Sequence, residues 1–497
     1  MKRLLFPLLM TILLTAGVQA QKVGVLENST DIGAVKYQGE TVYDENLQSY
    51  TLSGSGKNMW FGEDELHYAF TSIQGDFIVR ARVAFVGEGV DPHRKVGWAV
   101  RTNLHADSPH VNATVHGDGL TSLQYRRTKG AVTEEKISTD KAPDVIQLER
   151  RGSTYIMSTA KFGEPFTSVE LDVDLRNEVF VGIYMCSHNP DVVEKAVYKN
   201  VRITTPPKEG YEAYKDYIGS RLEVMDIETG DRKVLATSAH SIQAPNWTPD
   251  GKTLVYNSNG FLYNYDLASN KVTMLNTGFA NRNNNDHILN ADGSMVAISH
   301  HNADDNGESS IYYLPISGSD NPVKVTADGV GPSYLHGWSP DGEKMIFTGN
   351  RNGAYNIIEI DIESGKERAL TKVESLDDGS EYAPDGEKIY FNSNRTGVMQ
   401  IWEMDKNGKN QKQLTFDTYN DWFPHITPDG KSMIFISFPA DIPSGSHPFY
   451  QHCLLRKMPI DGGEPEIIAY VYGGQGTINV PSWSPDGKKV AFVSNSN

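Results

Sequence analysis

The sequence predicts an all-β protein with two parts, an N-terminal antiparallel β-sandwich and a six-bladed β-propeller. Three observations carry this. A tight-turn phrase recurs six times between Thr248 and Gly487. The two ends of that array each supply what the other lacks. Residues 21–205 carry no copy of the phrase, only short alternating runs between Gly- and Asp-rich turns.

The copies are Thr248-Pro-Asp-Gly251, Asn290-Ala-Asp-Gly293, Ser339-Pro-Asp-Gly342, Ala383-Pro-Asp-Gly386, Thr427-Pro-Asp-Gly430 and Ser484-Pro-Asp-Gly487. Pro presets φ and Gly accepts φ > 0, so the phrase is a turn signal. A large apolar residue precedes most copies (Trp247, Leu289, Trp338, Tyr382, Ile426, Trp483), and alternating strands such as Lys388–Asn392 and Met399–Met404 follow. Four strands per repeat of this length make a propeller blade. The last copy is followed by one strand, Lys489–Val493, whereas Arg221–Asp226 and Arg232–Ala236 precede the first. One blade is therefore expected to be completed by both ends of the domain, which leaves no free edge. The propeller is assigned to residues 213–497.

The sandwich is assigned to residues 21–205 on runs such as Asp76–Val83, Val96–Arg101, Val145–Glu149 and Val179–Tyr184, with residues 206–212 as linker. The pattern resembles the concanavalin-like jelly rolls of secreted bacterial proteins. Residues 1–20 read as a signal peptide: Lys2 and Arg3, an apolar run from Leu4 to Leu14, and the small-x-small site Val18-Gln19-Ala20. The apolar run is too short for a membrane span, and no Cys follows it, so an exported chain without a membrane anchor is expected, periplasmic in a Gram-negative cell.

The net charge is −17, from 46 Lys+Arg and 63 Asp+Glu, and loss of Lys2 and Arg3 with the signal takes it to −19. Such a chain repels phosphate backbones, so no nucleic-acid partner is expected. Two cysteines, Cys186 and Cys453, make neither a disulfide framework nor a cysteine metal site and read as buried thiols. Gly-x-Ser-x-Gly, Walker, Rossmann and His-Glu-x-x-His motifs are absent.

A propeller binds its ligands at the axis, through the loops that enter the innermost strands. The two positions before the apolar residue of each repeat are Pro245-Asn246, His287-Ile288, His336-Gly337, Ser380-Glu381, Pro424-His425 and Pro481-Ser482. His287, His336 and His425, with Glu381, are thus expected to converge on one axial cavity as catalytic residues. With Glu381 or Gln475 the three histidines could hold a divalent metal such as Mn²⁺ or Zn²⁺; without metal, His and Glu could act as base and acid. The alternative for each His is a bond to a neighbouring blade's backbone. Arg282, Tyr334, Trp422, Gln475 and Asn479 lie in the surrounding polar loops as substrate-binding candidates. His300 and His301 sit one step outward. His447 and His452 fall in a long blade-5 insertion, Pro439 to Cys453, which could form a lid. His105, His110 and His116 read as loop and surface residues.

The Trp-x-Pro-Asp-Gly repeats resemble the TolB-like propeller family over residues 213–497. Asn285-Asp-His287, Tyr334-Leu-His-Gly-Trp338, Leu376-Asp-Asp-Gly379, Trp422-Phe-Pro-His425 and Gly474-Gln-Gly-Thr-Ile-Asn479 resemble an exported branch that digests polysaccharides, nearest the ulvan oligosaccharide dehydratases of marine Bacteroidetes. That resemblance implies removal of water from a uronic acid at the non-reducing end of an acidic oligosaccharide, which leaves a 4,5-unsaturated uronate. Oligogalacturonate lyases are similar propellers with a His-rich metal site, but their Gln-x-x-His-x-His phrase is missing here. For such an elimination Arg282 or a metal would neutralise the carboxylate. His287 or His336 would take the C5 proton, and His425, Tyr334 or Glu381 would protonate the C4 hydroxyl. The alternatives are a non-catalytic TolB-like scaffold, a glycan-binding propeller, or a glycosidase that pairs Glu381 with Asp377, Asp378 or Asp286.

Overall fold

All six repeated phrases fold into the same turn, and their Asp and Gly are the reason. In the computed structural model, which describes residues 24–213, 215–351 and 353–497, the Asp carboxylate of each copy accepts the backbone N–H two residues on. Lys252 donates to Asp250 at 3.0 Å, Ser294 to Asp292 at 2.8 Å and Glu343 to Asp341 at 3.0 Å, and the remaining three match. The following glycine takes a left-handed φ, between +68° at Gly487 and +79° at Gly342. A side chain would be strained there, which explains why all six copies keep Gly. The leader expected over residues 1–20 lies outside the described residues.

In the four-stranded blades each turn joins the innermost strand to the second. Five sheets have four antiparallel strands, with innermost strands Gln243–Trp247, Asn283–Leu289, Ser333–Trp338, Asp377–Tyr382 and Asn420–Ile426 in blades 1 to 5. Blade 6 is built from both ends of the propeller, as expected. Strand Gly219–Asp226 lies between Arg232–Ser238 and Lys489–Ser496, in register from Gly219 opposite Ser496 to Asp226 opposite Lys489. Trp483 bridges Val490 on the inner side. Buried Leu, Ile, Val and Phe residues of facing blade surfaces, such as Leu335, Phe347 and Ile358, fill the space between neighbours.

The N-terminal part is two seven-stranded antiparallel sheets. One runs Asn28–Ile32, Leu66–Gln74, Glu178–Cys186, Lys95–Arg101, His110–His116, Thr121–Arg126, Glu134–Ile137. The other runs Thr167–Asp172, Thr154–Ala160, Val145–Arg151, Phe77–Val86, Glu194–Thr204, Ser49–Gly54, Glu40–Asp44. Alternate residues of both, including Trp98, Val111, Val79 and Leu148, share one core. The first sheet's other face is also covered. His110 and His116 are buried there, not on the surface, while His105 is exposed in a loop. Asp64, from a covering loop, sits between Arg101 (2.6 Å) and Arg126 (2.7 Å), with His110 at 3.3 Å. A polar face under such a lid looks in sequence like a solvated one.

The sandwich packs on blades 5 and 6. Arg202 of the sandwich and Arg232 of blade 6 both grip the fully buried Glu223, at 2.6 and 2.7 Å. Ile78 of the sandwich joins Ile218, Phe449, Tyr450 and Tyr472 in one apolar cluster. Cys186 and Cys453 are buried and unpaired. Among the described residues no helix is long and apolar enough to cross a membrane.

Candidate functional site

Every innermost strand of blades 1 to 5 breaks register shortly before its apolar residue. The breaks fall between Gln243 and Asn246, Asn283 and His287, Leu335 and Gly337, Asp378 and Glu381, and Trp422 and His425. A β-bulge re-aims side chains and strengthens twist. Here the bulges bend the strand ends around an axial cavity of about 790 Å³, within the roughly 300–1,000 Å³ of small-molecule sites. Three bulges hold left-handed backbone: Ala244 has φ +53°, and the neighbouring pair Phe423 and Gly379 have φ +55° and +60°. That pair sits beside Asn392, whose side-chain oxygen accepts the Phe423 N–H at 3.0 Å.

The cavity's ionisable centre is His336, Asp378, His447 and Asp286. His336 Nε2 lies 2.9 Å from Asp378 Oδ1, and His447 Nε2 lies 2.9 Å from Asp378 Oδ2. Oδ1 of Asp378 also accepts from Thr348 Oγ1 (2.6 Å) and from the Gly379 N–H (2.8 Å). Burial alone would raise the Asp378 carboxyl, but the charge and hydrogen bonds of His336 and His447 hold it well below the usual carboxylate range. Asp286 behaves oppositely. Burial pushes it up to about 6, against the pull of His336 and with help from Asp378. Burial would lower His336, but the carboxylates of Asp378 and Asp286 outweigh it and raise its pKa above the ordinary 6.5. His336 Nδ1 is buried without a hydrogen-bond partner.

Amides and aromatic rings surround this centre. Eight Asn and Gln side chains line the cavity, Gln475 and Asn479 among them, with Tyr334, Tyr355, Tyr217, Phe423 and Phe449. Among the described residues neither Lys nor Arg lines it.

His336, Tyr334, Gln475 and Asn479 thus lie where expected, and the other site candidates do not. The shared cavity expected for His287, His336, Glu381 and His425 holds for His336 alone. His287 is buried, with Nδ1 3.2 Å from the Asn285 carbonyl and Nε2 3.2 Å from the Val255 carbonyl of blade 1. Burial lowers its pKa to about 4. His425 lies with Nδ1 2.6 Å from Glu381 Oε2 and Nε2 2.7 Å from the Ile478 carbonyl, which stitches blades 4, 5 and 6. Glu381 Oε1 accepts the Ile426 N–H at 3.0 Å. These three side chains tie blades together, and their polar atoms are spent on that task. They therefore do not fit a metal with His336, and among the described residues no group of three or more His, Cys, Asp or Glu is placed to hold one. Arg282 is exposed and does not line the cavity. Trp422 is buried behind it, its ring 4.6 Å from that of His447.

Sequence reasoning missed the centre's other members as acid–base groups. Asp286 and Asp378 entered only as carboxylate partners for a glycosidase, and His447 only as part of a lid. The missing signal is the bulge. In blade 3 His336 is itself the bulged residue, whereas in blade 2 the bulge falls on residues 284–286 and His287 still pairs with Ile298. Equivalent repeat positions therefore point to different places.

Residues 324–443 match the family described as TolB beta propeller domain. An uncharacterised protein of Agrobacterium fabrum is 42% identical over 275 residues, which is 92% of its length and 55% of this chain. The chain belongs to the TolB-like β-propeller family. A solved structure of a putative TolB from Agrobacterium tumefaciens is 41% identical, with a TM-score of 0.54, and is covered in full by 57% of this chain. An oligogalacturonate lyase from Vibrio parahaemolyticus shares 14% identity at a TM-score of 0.36, over 55% of this chain and 77% of its own; at that distance no activity is transferred. The TolB-like propeller here is thus a known scaffold that carries a His–Asp–His group at its axis, with His336 and Asp378 buried and His447 partly exposed.

Proposed function

We propose that this TolB-like protein is an exported, periplasmic carbon–oxygen lyase. It removes water from the non-reducing-end uronic acid of acidic oligosaccharides, such as ulvan fragments, and leaves a 4,5-unsaturated uronate. One observation carries the reading: Asp286, pushed up to about 6, and His336, raised above its ordinary value, line the same cavity. Asp286, at about 6, is mostly ionised at neutral pH, and the carboxylates of Asp378 and Asp286 shift His336 towards its protonated form relative to an ordinary imidazole. That is a base and an acid side by side.

The roles follow from the geometry. Asp378 fixes Nε2 of His336, so Nδ1 is the atom that can give up a proton. Asp286 takes the C5 proton, the C5 electron pair becomes the C4–C5 double bond, and the C4–O bond breaks. The hydroxyl leaves as water with the proton from His336. Transfer of a proton from Asp286 back to His336 resets the site. With neither Lys nor Arg among the described lining residues, the sugar carboxylate depends on the imidazoles of His301, His336 and His447 and on the amides. Amides and Tyr faces suit a polyhydroxylated ligand.

The test is to incubate the protein with uronate-ended oligosaccharides and follow mass and ultraviolet absorbance. Dehydration removes one water and creates absorbance without shortening the chain; shortening with absorbance means glycosidic lyase action instead. The lack of Lys and Arg among the described lining residues favours a second reading, a propeller that binds a neutral glycan without reaction. Unchanged mass with measurable binding of neutral oligosaccharides would establish it.

A further inference from the structure

The connection between the second and third strands of blade 5, residues 439–450, is twelve residues long, against at most seven in the other four-stranded blades. Its inner side belongs to the cavity. Gly445, His447 and Phe449 line it, His447 bonds Asp378, and the Pro448 carbonyl accepts the N–H of lining residue Gln475 at 2.8 Å. Its far end belongs to the sandwich. His452, five residues after His447, lies 2.9 Å from Glu149 Oε2 on strand Val145–Arg151. Glu149 is buried, and its other oxygen accepts from Arg151 Nε at 2.6 Å. Between these anchors the Tyr450 hydroxyl accepts the Ile218 N–H at 3.1 Å, and Phe449 and Tyr450 pack with Ile78 of the sandwich.

A segment of this length without secondary structure opens easily unless its ends are tied down. One end of its cavity-facing stretch is tied to Asp378, and the other to a different domain. The propeller ring does not need that domain for closure, since its own termini close it. The Agrobacterium relatives, matched over 92% and 100% of their lengths, correspond to little more than half of this chain.

We propose that the sandwich is the clamp of the cap over the cavity: through the Glu149–His452 bond it holds residues 439–450 closed and sets His447 against Asp378. Glu149 is then a positioning residue. The effect on turnover rests on the dehydratase reading; the clamp itself does not.

The experiment uses the full chain in four forms: wild type, Glu149→Ala, Glu149→Gln and Lys199→Ala. Lys199 bonds Asp231 across the same domain interface at 2.7 Å, away from the cap, and serves as control. Hydrogen exchange of the 440–450 segment reads the clamp without any substrate. Loss of a charge-assisted hydrogen bond should speed exchange there about tenfold in Glu149→Ala. Glu149→Gln, which keeps an acceptor oxygen, should stay near wild type, and Lys199→Ala should not change the segment. On uronate-ended oligosaccharides Glu149→Ala should lower kcat about tenfold with the melting temperature nearly unchanged. Unchanged exchange in Glu149→Ala, or equal acceleration in Lys199→Ala, overturns the clamp. Faster exchange in a protein whose wild type has no activity keeps the clamp and removes the dehydratase reading.

Discussion

Asp286 and His336 set the expected pH behaviour. Activity should rise with pH as Asp286 ionises through about 6, and fall as His336 loses its proton above 6.5. A bell-shaped profile of kcat/KM checks this, and Asp286→Asn should abolish the acid limb together with at least about 100-fold of the rate. His336→Gln should cost a similar factor, with circular dichroism unchanged. His287 separates structure from chemistry. Its ring fills a buried position and faces two backbone carbonyls, so His287→Ala should lower unfolding free energy by about 1–3 kcal/mol and leave the pH profile's shape intact. Urea denaturation and the profile test both halves. Arg282, exposed outside the cavity, should be replaceable by Ala without change in KM.

At the scale of the element the bulges matter most, because they turn regular blade strands into a binding wall. Gly379 shows the constraint. At φ +60°, a Cβ there would lie 2.3 Å from Asn392 Oδ1 and 2.8 Å from the Phe423 ring. Gly379→Ala should therefore cost about 1–3 kcal/mol and displace Phe423 and the N–H that Asp378 accepts. Lower stability by denaturation, with a weaker kcat, is the expected outcome. An alanine variant as stable as wild type would mean the bulge tolerates another geometry.

Across the whole molecule, closure and docking rest on distant contacts. Blade 6 exists only because Lys489–Ser496 pairs with Gly219–Asp226, more than 260 residues earlier. Removal of residues from Ser484 onward should open the ring and give insoluble protein on expression. Docking of the sandwich depends on Glu223 between Arg202 and Arg232. Burial opposes its charge, but the two guanidiniums hold its carboxyl well below the ordinary 4.5. A depressed carboxyl stabilises the fold above its unfolded value and loses that contribution as pH falls below it. The interface should therefore loosen below about pH 4.5, and Glu223→Gln should weaken it already at neutral pH. Limited proteolysis of the linker between the domains, followed against pH, reads both effects.

The sequence by itself determined the propeller, its six blades and its closure, because Asp and Gly act within four residues and need nothing distant to form a turn. His336, Tyr334, Gln475 and Asn479 were legible for a related reason: they sit on loops that every blade aims at the axis. Only the tertiary structure decided that His287, Glu381 and His425 lock blades together, because a bulge of one residue more or less reverses which side chain faces the cavity. It also decided the partnership of His336, Asp378 and His447, which come from three separate chain segments. No local pattern records such a meeting, since the energy that selects it lies in the packing of blades against each other and against the sandwich.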